Sequence, residues 1–376
     1  MPGLLTLIVK ATRECNLRCS YCNDWRSTAN AISLETADLM VRRAMAAKDV
    51  TAVHFNWHGG EPTLVPLDFY RHVFAEQARH RPAGRKFTNT LQTNGTRLTD
   101  EWLDFLVAQH VGLGISIDGP PEIHDRMRPT RGGGSSSRLI EKTLVKVRDR
   151  GIPHGVSIVA SHELVGKGPE YIWSFLQSAG ISNVTLVPVR PPNPVAGDEA
   201  APTISPEFLG GADWSAYLCG LFDLWWSSDS TVKINNFDAV LRKLLGRAPR
   251  SCLISGNCLG SVYGIEADGT IMHCELFQGE PDRAFGNLAS TTFDEVAADL
   301  RMAALRQADA ERLGRYRECP TFGICAGGCP HEWYIHEGYG KADQLGSCCG
   351  WRPLVEHIAK RLAASKVPAE ALAWTS

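Results

Sequence analysis

Residues 15–22 read CNLRCSYC, which places Cys15, Cys19 and Cys22 at spacing C-x3-C-x2-C with no histidine nearby. A closed tetrahedral site takes four such ligands, so this loop is one short. Three thiolates can hold a 4Fe-4S cluster and leave one iron open, by the logic of a catalytic zinc with a vacant position. Zinc itself suits a histidine-free loop of this spacing poorly. A second group follows later in the chain: Cys252-x5-Cys258-x15-Cys274, then Cys319-x5-Cys325-x3-Cys329, then Cys348-Cys349. Of the twelve cysteines only Cys219 stands apart, in the apolar helical stretch WSAYLCGLFDLWW, where it reads as buried core. The N-terminal MPGLLTLIVK has neither a long apolar core nor a small-residue cleavage site, so it reads as a strand and not as a signal peptide. The expected location is cytoplasmic, where clustered cysteines serve metal or redox chemistry more often than a disulfide framework.

These residues need elements to position them. A chain of 376 residues suits two domains, or one large domain with an appended module. A net charge of −2 offers nothing for electrostatic capture of nucleic acid or an anionic membrane. No apolar run approaches the ~20 residues of a membrane span. Apolar, β-branched runs predict strands at 4–9, 51–57, 86–92, 111–117, 154–160 and 183–189. Helical patterns lie between them, near 34–48, 67–80, 100–109, 137–150 and 168–178, with Ser33 and Thr99 placed as N-caps. Strands joined by helical crossovers predict a parallel sheet, either open or closed into a barrel. The Pro- and Gly-rich stretch 189–212 reads as a loop or boundary. Helices are expected near 213–228, 237–246 and 352–365, a hairpin turning at Asp268-Gly269, and a short flexible loop at 132–137.

The chemistry-bearing motifs fall just after successive strands: the cysteine loop, then Gly59-Gly60-Glu61-Pro62, then Thr93-Asn94-Gly95, then Ser116-Ile117-Asp118-Gly119. Each alone is ordinary turn sequence. Parallel α/β folds place ligand sites at the carboxyl ends of strands, so motifs in this shared register converge on one site.

Together, CNLRCSYC, HGGEP, TNG and SIDG resemble the radical S-adenosylmethionine superfamily. The resemblance implies a partial (β/α)6 barrel of TIM-like type, in keeping with the predicted strands. It also implies that S-adenosylmethionine chelates the open iron through its amino and carboxylate groups. Carried over by position, Cys15, Cys19 and Cys22 hold the cluster and Tyr21 lies near the adenine. Gly59, Gly60 and Glu61 bind the methionine amino group, Ser116 reaches the ribose or carboxylate, and Asn94 is a further candidate. The implied chemistry is reductive cleavage of the sulfonium to methionine and a 5′-deoxyadenosyl radical, which takes a hydrogen atom from an unactivated C–H. The cofactor carries this chemistry while the protein positions and shields it.

The later cysteines resemble a SPASM domain, which houses two auxiliary 4Fe-4S clusters in peptide- and protein-modifying relatives. That pattern assigns Cys252, Cys258, Cys274 and Cys329 to the first cluster and Cys319, Cys325 and Cys348 to the second. The family's usual further cysteine, three residues before Cys319, is Tyr316 here. Cys349 is the favoured replacement ligand, with an oxygen ligand such as Tyr316 or an open iron as the other readings. A domain held together by metal without electron transfer is the plainer reading of the same cysteines. The expected division is 1–212 for the barrel, 213–248 for a helical linker and 249–376 for the cysteine-rich domain.

Glu275 follows Cys274 directly. In anaerobic sulfatase-maturing relatives this place carries an aspartate that acts as general base. Glutamate moves the carboxylate by about 1.5 Å, one carbon–carbon bond, and a misplacement of ~1 Å can cost ~10²-fold in a tuned site. Glu275 remains a candidate base, in a site less favoured for sulfatase maturation, with a solvated surface glutamate as the plain alternative. His58 either lines the cavity or is a packed, hydrogen-bonded histidine. HDRMR, 124–128, is typical of the relatives but receives no role from sequence.

The leading expectation is a maturase of ribosomally made peptides. It would take a hydrogen from a side chain, most readily at Cβ, and form a crosslink of cyclophane type, a bond to a heteroatom or an oxidised product. A sulfatase maturase making formylglycine is the second reading, and an iron–sulfur electron carrier is a third, of another class. The expected partners are a precursor peptide or protein and a reductant such as flavodoxin or ferredoxin. Few residues precede the first strand, so substrate is expected to be held by the barrel mouth and the auxiliary domain, or by a separate protein.

Overall fold

A computed structural model describes residues 3–22, 30–190, 209, 211–256, 258–338 and 348–365. The loop expected within 189–212 lies almost wholly outside the described residues. Strands and helices alternate through the first half: β1 (Leu4–Thr12), α1 (Leu34–Ala46), β2 (Ala52–Gly59), α2 (Leu67–His80), β3 (Lys86–Thr93), α3 (Asp100–Ala108), β4 (Gly112–Ser116), α4 (Pro121–Met127), α5 (Ser137–Asp149), β5 (His154–Ala160), α6 (His162–Gly166), α7 (Pro169–Ser178) and β6 (Asn183–Pro188). Then come α8 (Gly211–Trp226), β7 (Lys233–Ile234), α9 (Asn235–Leu244), β8 (Val262–Ile265), β9 (Thr270–His273), β10 (Ala284–Asn287), α10 (Phe293–Ala298), α11 (Leu300–Gly314), α12 (Phe322–Cys325), α13 (Pro330–Gly338) and α14 (Arg352–Ala364).

Strands β1 to β6 pair in chain order, all parallel. The sheet stays open: β7 pairs with β6 at one side, and β8 pairs parallel with β1 at the other. The fold is thus an α/β partial barrel whose sheet the cysteine-rich segment extends. The expected hairpin is present as the antiparallel pair β8–β9, with Gly269 at φ +88° in its turn. Ser33 and Thr99 cap their helices as expected, accepting from the backbone N–H of Thr36 and Trp102. Cys219 is half-buried and not core: its thiol reaches the Pro353 carbonyl at 3.8 Å where α8 meets α14.

Period-two alternation sorts the two faces of the sheet. On β2, Val53, Phe55 and Trp57 are buried, and Trp57 packs against Phe69, Tyr70 and Phe74 of α2. The intervening residues face inward and are polar. Asn56, Thr90, Gln92, Ser157, Asn183 and Thr185 line a cavity of about 800 Å³ inside the sheet. This larger cavity has no cysteine on its wall, and the chemistry gathers elsewhere. Trp57→Ala is expected to lower the unfolding free energy by about 3–5 kcal/mol in a denaturant titration. Leu300→Ala, at a side chain 86% exposed, is expected to change it by less than about 0.5 kcal/mol.

Candidate active site

A second cavity, of about 410 Å³, brings together Cys15, Cys19, Cys22, Tyr21, Gly59, Gly60, Asn94, Ser116, His58 and Glu275. Convergence of the strand-end motifs is therefore met, with one exception. Glu61 is fully buried, and its carboxylate accepts from the Thr63 N–H at 3.0 Å, the Thr93 hydroxyl at 2.7 Å and the Asn94 N–H at 2.8 Å. It staples the ends of β2 and β3 together and is not on the cavity wall. The two glycines before it are there for closeness. A Cβ on Gly59 would stand 2.4 Å from the Thr12 carbonyl oxygen, and one on Gly60 2.1 Å from that of Glu14. The backbone leading to the cysteines lies against them, bonded by Gly60 N–H to Thr12 and Glu61 N–H to Glu14.

The cysteine loop is held from its other side by the HDRMR segment. Leu17 bridges Thr130, Arg18 N–H donates to Pro129, Ser20 N–H to Met127, and Arg131 N–H to Asn16. Arg128 donates through Nε to Asp118 at 2.8 Å, lies over the Tyr21 ring at 5.3 Å and reaches Cys19 Sγ at 3.9 Å. Tyr21 donates its hydroxyl to the same Asp118 oxygen at 2.5 Å. Burial works against the Arg128 charge, but Asp118, Tyr21 and Cys19 outweigh it and hold its proton affinity well above the usual value. His124 accepts from Asp118 N–H through Nδ1 at 3.0 Å, leaving Nε2–H to face the Ser136 hydroxyl, also at 3.0 Å. Nor is 132–137 simply a flexible loop, since Asp125 receives hydrogen bonds from Ser135, Ser136 and Ser137.

Burial pushes the Cys15 and Cys19 thiols up to about 12. Unaided, both stay protonated at neutral pH, and a bound cation is what makes them thiolates. Among the described residues no three His, Cys, Asp or Glu side chains close on a single-ion point. Three cysteine thiols on one cavity wall are a donor set that suits an iron–sulfur group with an open position. Asn94 Nδ2 stands 3.8 Å from Cys15 Sγ, and Ser116 accepts from Gln92 at 2.9 Å.

Glu275 enters this cavity from the cysteine-rich segment. Its carboxylate pairs with Lys10 Nζ at 2.8 Å and lies 3.6 Å from His58 Nδ1. Lys10 is 1% exposed and faces His58 across the β1–β2 ladder. Sequence reading missed Lys10; the signal was a charge ending an otherwise apolar strand. Cys274 takes φ +58° and ψ +152°, a glycine region that costs an ordinary residue about 1–3 kcal/mol. Its thiol sits near Cys252 and Cys329 while the next side chain reaches the cavity. Cys258 in turn lies near Cys329 and Cys252. In the other set, the Cys349 thiol contacts Cys325 Sγ at 3.4 Å and also hydrogen-bonds Cys348. That sharing lowers the pKa of Cys325 and Cys348 and raises that of Cys349. Tyr316 is buried beside them.

A partial barrel with a three-cysteine loop at its strand ends defines a class, and the comparisons with known proteins agree. Residues 9–168 match the Radical SAM superfamily. Over those residues the chain carries a Radical SAM domain, and that family's cofactors are a 4Fe-4S cluster and S-adenosylmethionine. It is similar to the serine-type anaerobic sulfatase-maturating enzyme of Bacteroides thetaiotaomicron, at 26% identity over 95% of this chain and 89% of that protein. It is also similar to the cysteine-type anaerobic sulfatase-maturating enzyme of Clostridium novyi, at 26% identity over 88% of each. Among solved structures, native anSMEcpe with bound AdoMet and Kp18Cys peptide superposes with a TM-score of 0.79 at 22% identity, over 95% of this chain and 99% of that one. Streptococcus suis SuiB bound to precursor peptide SuiA gives 0.62 at 15% identity, over 88% and 73%. Likeness at such identities is likeness of fold. Among the described residues no helix is long and apolar enough to cross a membrane.

His124 offers a pH test of the loop's support. Burial and then Arg128 hold its pKa at about 4, below the ordinary 6.5. As pH falls from 6.5 to about 4, the unfolded chain takes up a proton that the folded chain refuses. Stability is therefore full above this window and falls through it, by up to about 1.4 kcal/mol per pH unit. Urea unfolding from pH 7 downward is expected to be less pH-dependent in His124→Gln; an unchanged slope contradicts the assignment.

Proposed function

We propose that the enzyme modifies a side chain of a ribosomally made peptide, removing a hydrogen atom from carbon, most readily Cβ, and forming a crosslink or an oxidised product. The observation that carries this reading is the shared cavity, in which Glu275 from the cysteine-rich segment faces the Cys15–Cys22 loop. Cys15, Cys19 and Cys22 hold the cluster, with the fourth position left to S-adenosylmethionine. Bound there, the pair would supply the radical chemistry that takes the hydrogen atom. Gly59 and Gly60 offer backbone to the methionine amino group, with Glu61 fixing that backbone from behind. Tyr21, Ser116 and Asn94 line the remaining nucleoside space. Arg128, beside Cys19 Sγ, adds a fixed positive charge to the thiolate set.

Glu275 takes the proton lost when the product forms, and Lys10 and His58 hold its carboxylate toward the substrate. Cys252, Cys258, Cys274 and Cys329 hold a first auxiliary cluster, and their mutual proximity supports this grouping. Cys319, Cys325, Cys348 and Cys349 hold a second; the 3.4 Å approach of Cys349 to Cys325 supports Cys349 in the place that Tyr316 leaves. A flavodoxin or ferredoxin supplies electrons.

The second reading, formylglycine formation on a sulfatase, is favoured by the long alignments to both serine- and cysteine-type maturases. One experiment separates them. The reconstituted enzyme, reductant and S-adenosylmethionine are incubated with the short peptide encoded beside its gene, or with a sulfatase-motif peptide. Loss of two hydrogens from the neighbouring peptide is expected, with Glu275→Gln lowering the yield by about 10²–10⁴-fold. An unchanged peptide mass overturns the proposal, and a hydrazide-trapped aldehyde on the sulfatase motif establishes the second reading.

A further inference from the structure

β6 ends at Pro188, and two residues later Arg190 stands where two cavities meet. One is the cavity of the cysteine loop and Glu275. The other is a void of about 40 Å³ bounded by Cys329, Cys349, Glu332 and Trp351. Pro188 and Arg190 line both, so they form the wall between the substrate space and the auxiliary cysteines. The Arg190 side chain is 15% exposed. Its Nε donates to Glu332 Oε1 at 2.7 Å, and Nη2 contacts the same oxygen. Glu332 lies on α13, one turn beyond Cys329. The guanidinium is thereby held against the barrel end, within electrostatic reach of Cys329 and Cys252.

We propose that Arg190 is a positioning residue for electron transfer, its charge raising the reduction potential of the cluster held by Cys252, Cys258, Cys274 and Cys329. The inference rests on the auxiliary-cluster reading above. A cluster on four thiolates is anionic and gains a further negative charge on reduction. A nearby buried cation favours the reduced form, and Glu332 opposes part of that effect. The electron to be accepted comes from the substrate. Once the hydrogen atom has gone, the carbon radical gives up one electron and one proton as the new bond forms. The proton would go to a base in the cavity, and a cluster held by these four cysteines would be the electron acceptor, reached across the Pro188–Arg190 wall. A one-electron carrier of the ferredoxin or flavodoxin class removes it afterwards.

The test is a redox titration of the iron-reconstituted enzyme followed by electron paramagnetic resonance, with iron content measured on each variant. Arg190→Met is expected to move one auxiliary signal to lower potential and Glu332→Gln to move it higher. Arg190→Lys, which keeps the charge, stays near wild type. Opposite shifts from the two halves of one ion pair report charge, which structural damage does not produce. If Arg190→Met fails to load iron, an upward shift in Glu332→Gln beside an unshifted Arg190→Lys sustains the proposal. Unshifted potentials in the loaded variants, or shifts of the same sign, overturn it and leave the auxiliary clusters standing. Wild-type iron and spectra that account for the S-adenosylmethionine-binding cluster alone overturn both readings.

Discussion

Asp118 and Arg128 form a buried ion pair, 0% and 9% exposed, on which the cysteine loop depends. Asp118 ends the β4 motif and is itself anchored by Val159 N–H at 3.0 Å. Arg128 lies within the segment, 127–131, whose backbone pairs with residues 16–20. One carboxylate thus ties the sheet, Tyr21 and the segment beside the cysteines. Removing one partner of such a pair costs about 3–5 kcal/mol, because the other charge is left buried.

Parallel strands account for the rest of the convergence. Every strand from β1 to β6 runs the same way, so the glycine pair, the Thr-Asn turn and the serine arrive at one edge beside the cysteines. The cysteine-rich segment completes the enclosure by extending the same sheet. Arg13 secures that junction, with Nε donating to Glu266 at 2.9 Å and Nη1 reaching Gln278. Lys10 with Glu275 and Arg190 with Glu332 join the same two parts of the chain at further points. Charged pairs concentrated at one internal boundary hold the substrate space between two sets of thiols.

Most of the barrel was legible in the sequence because alternation and helical period are local. The strands, the crossover helices and the two N-caps all follow from neighbours a few residues apart. What was not legible depends on long-range partners. Nothing near Glu61 reveals that Thr63, Thr93 and Asn94 consume its oxygens. HDRMR acquires meaning only once residues 127–131 lie beside 16–20. Helix α11 escaped because it buries few side chains, Met302 and Arg312 among them, and so shows little apolar period. Tyr316 was recognised as a departure from sequence, yet the proximity of Cys349 to Cys325 required the folded chain.

Under the proposed function, Cys15, Cys19 and Cys22 leave one iron position for S-adenosylmethionine. The most direct measurement is the electron paramagnetic resonance spectrum of the reduced, iron-loaded enzyme with and without S-adenosylmethionine, in wild type and in Cys15→Ala. S-adenosylmethionine is expected to change the signal of one cluster in the wild type, and that signal is expected to be missing from Cys15→Ala. A wild-type spectrum indifferent to S-adenosylmethionine, or a response that survives Cys15→Ala, would contradict that reading.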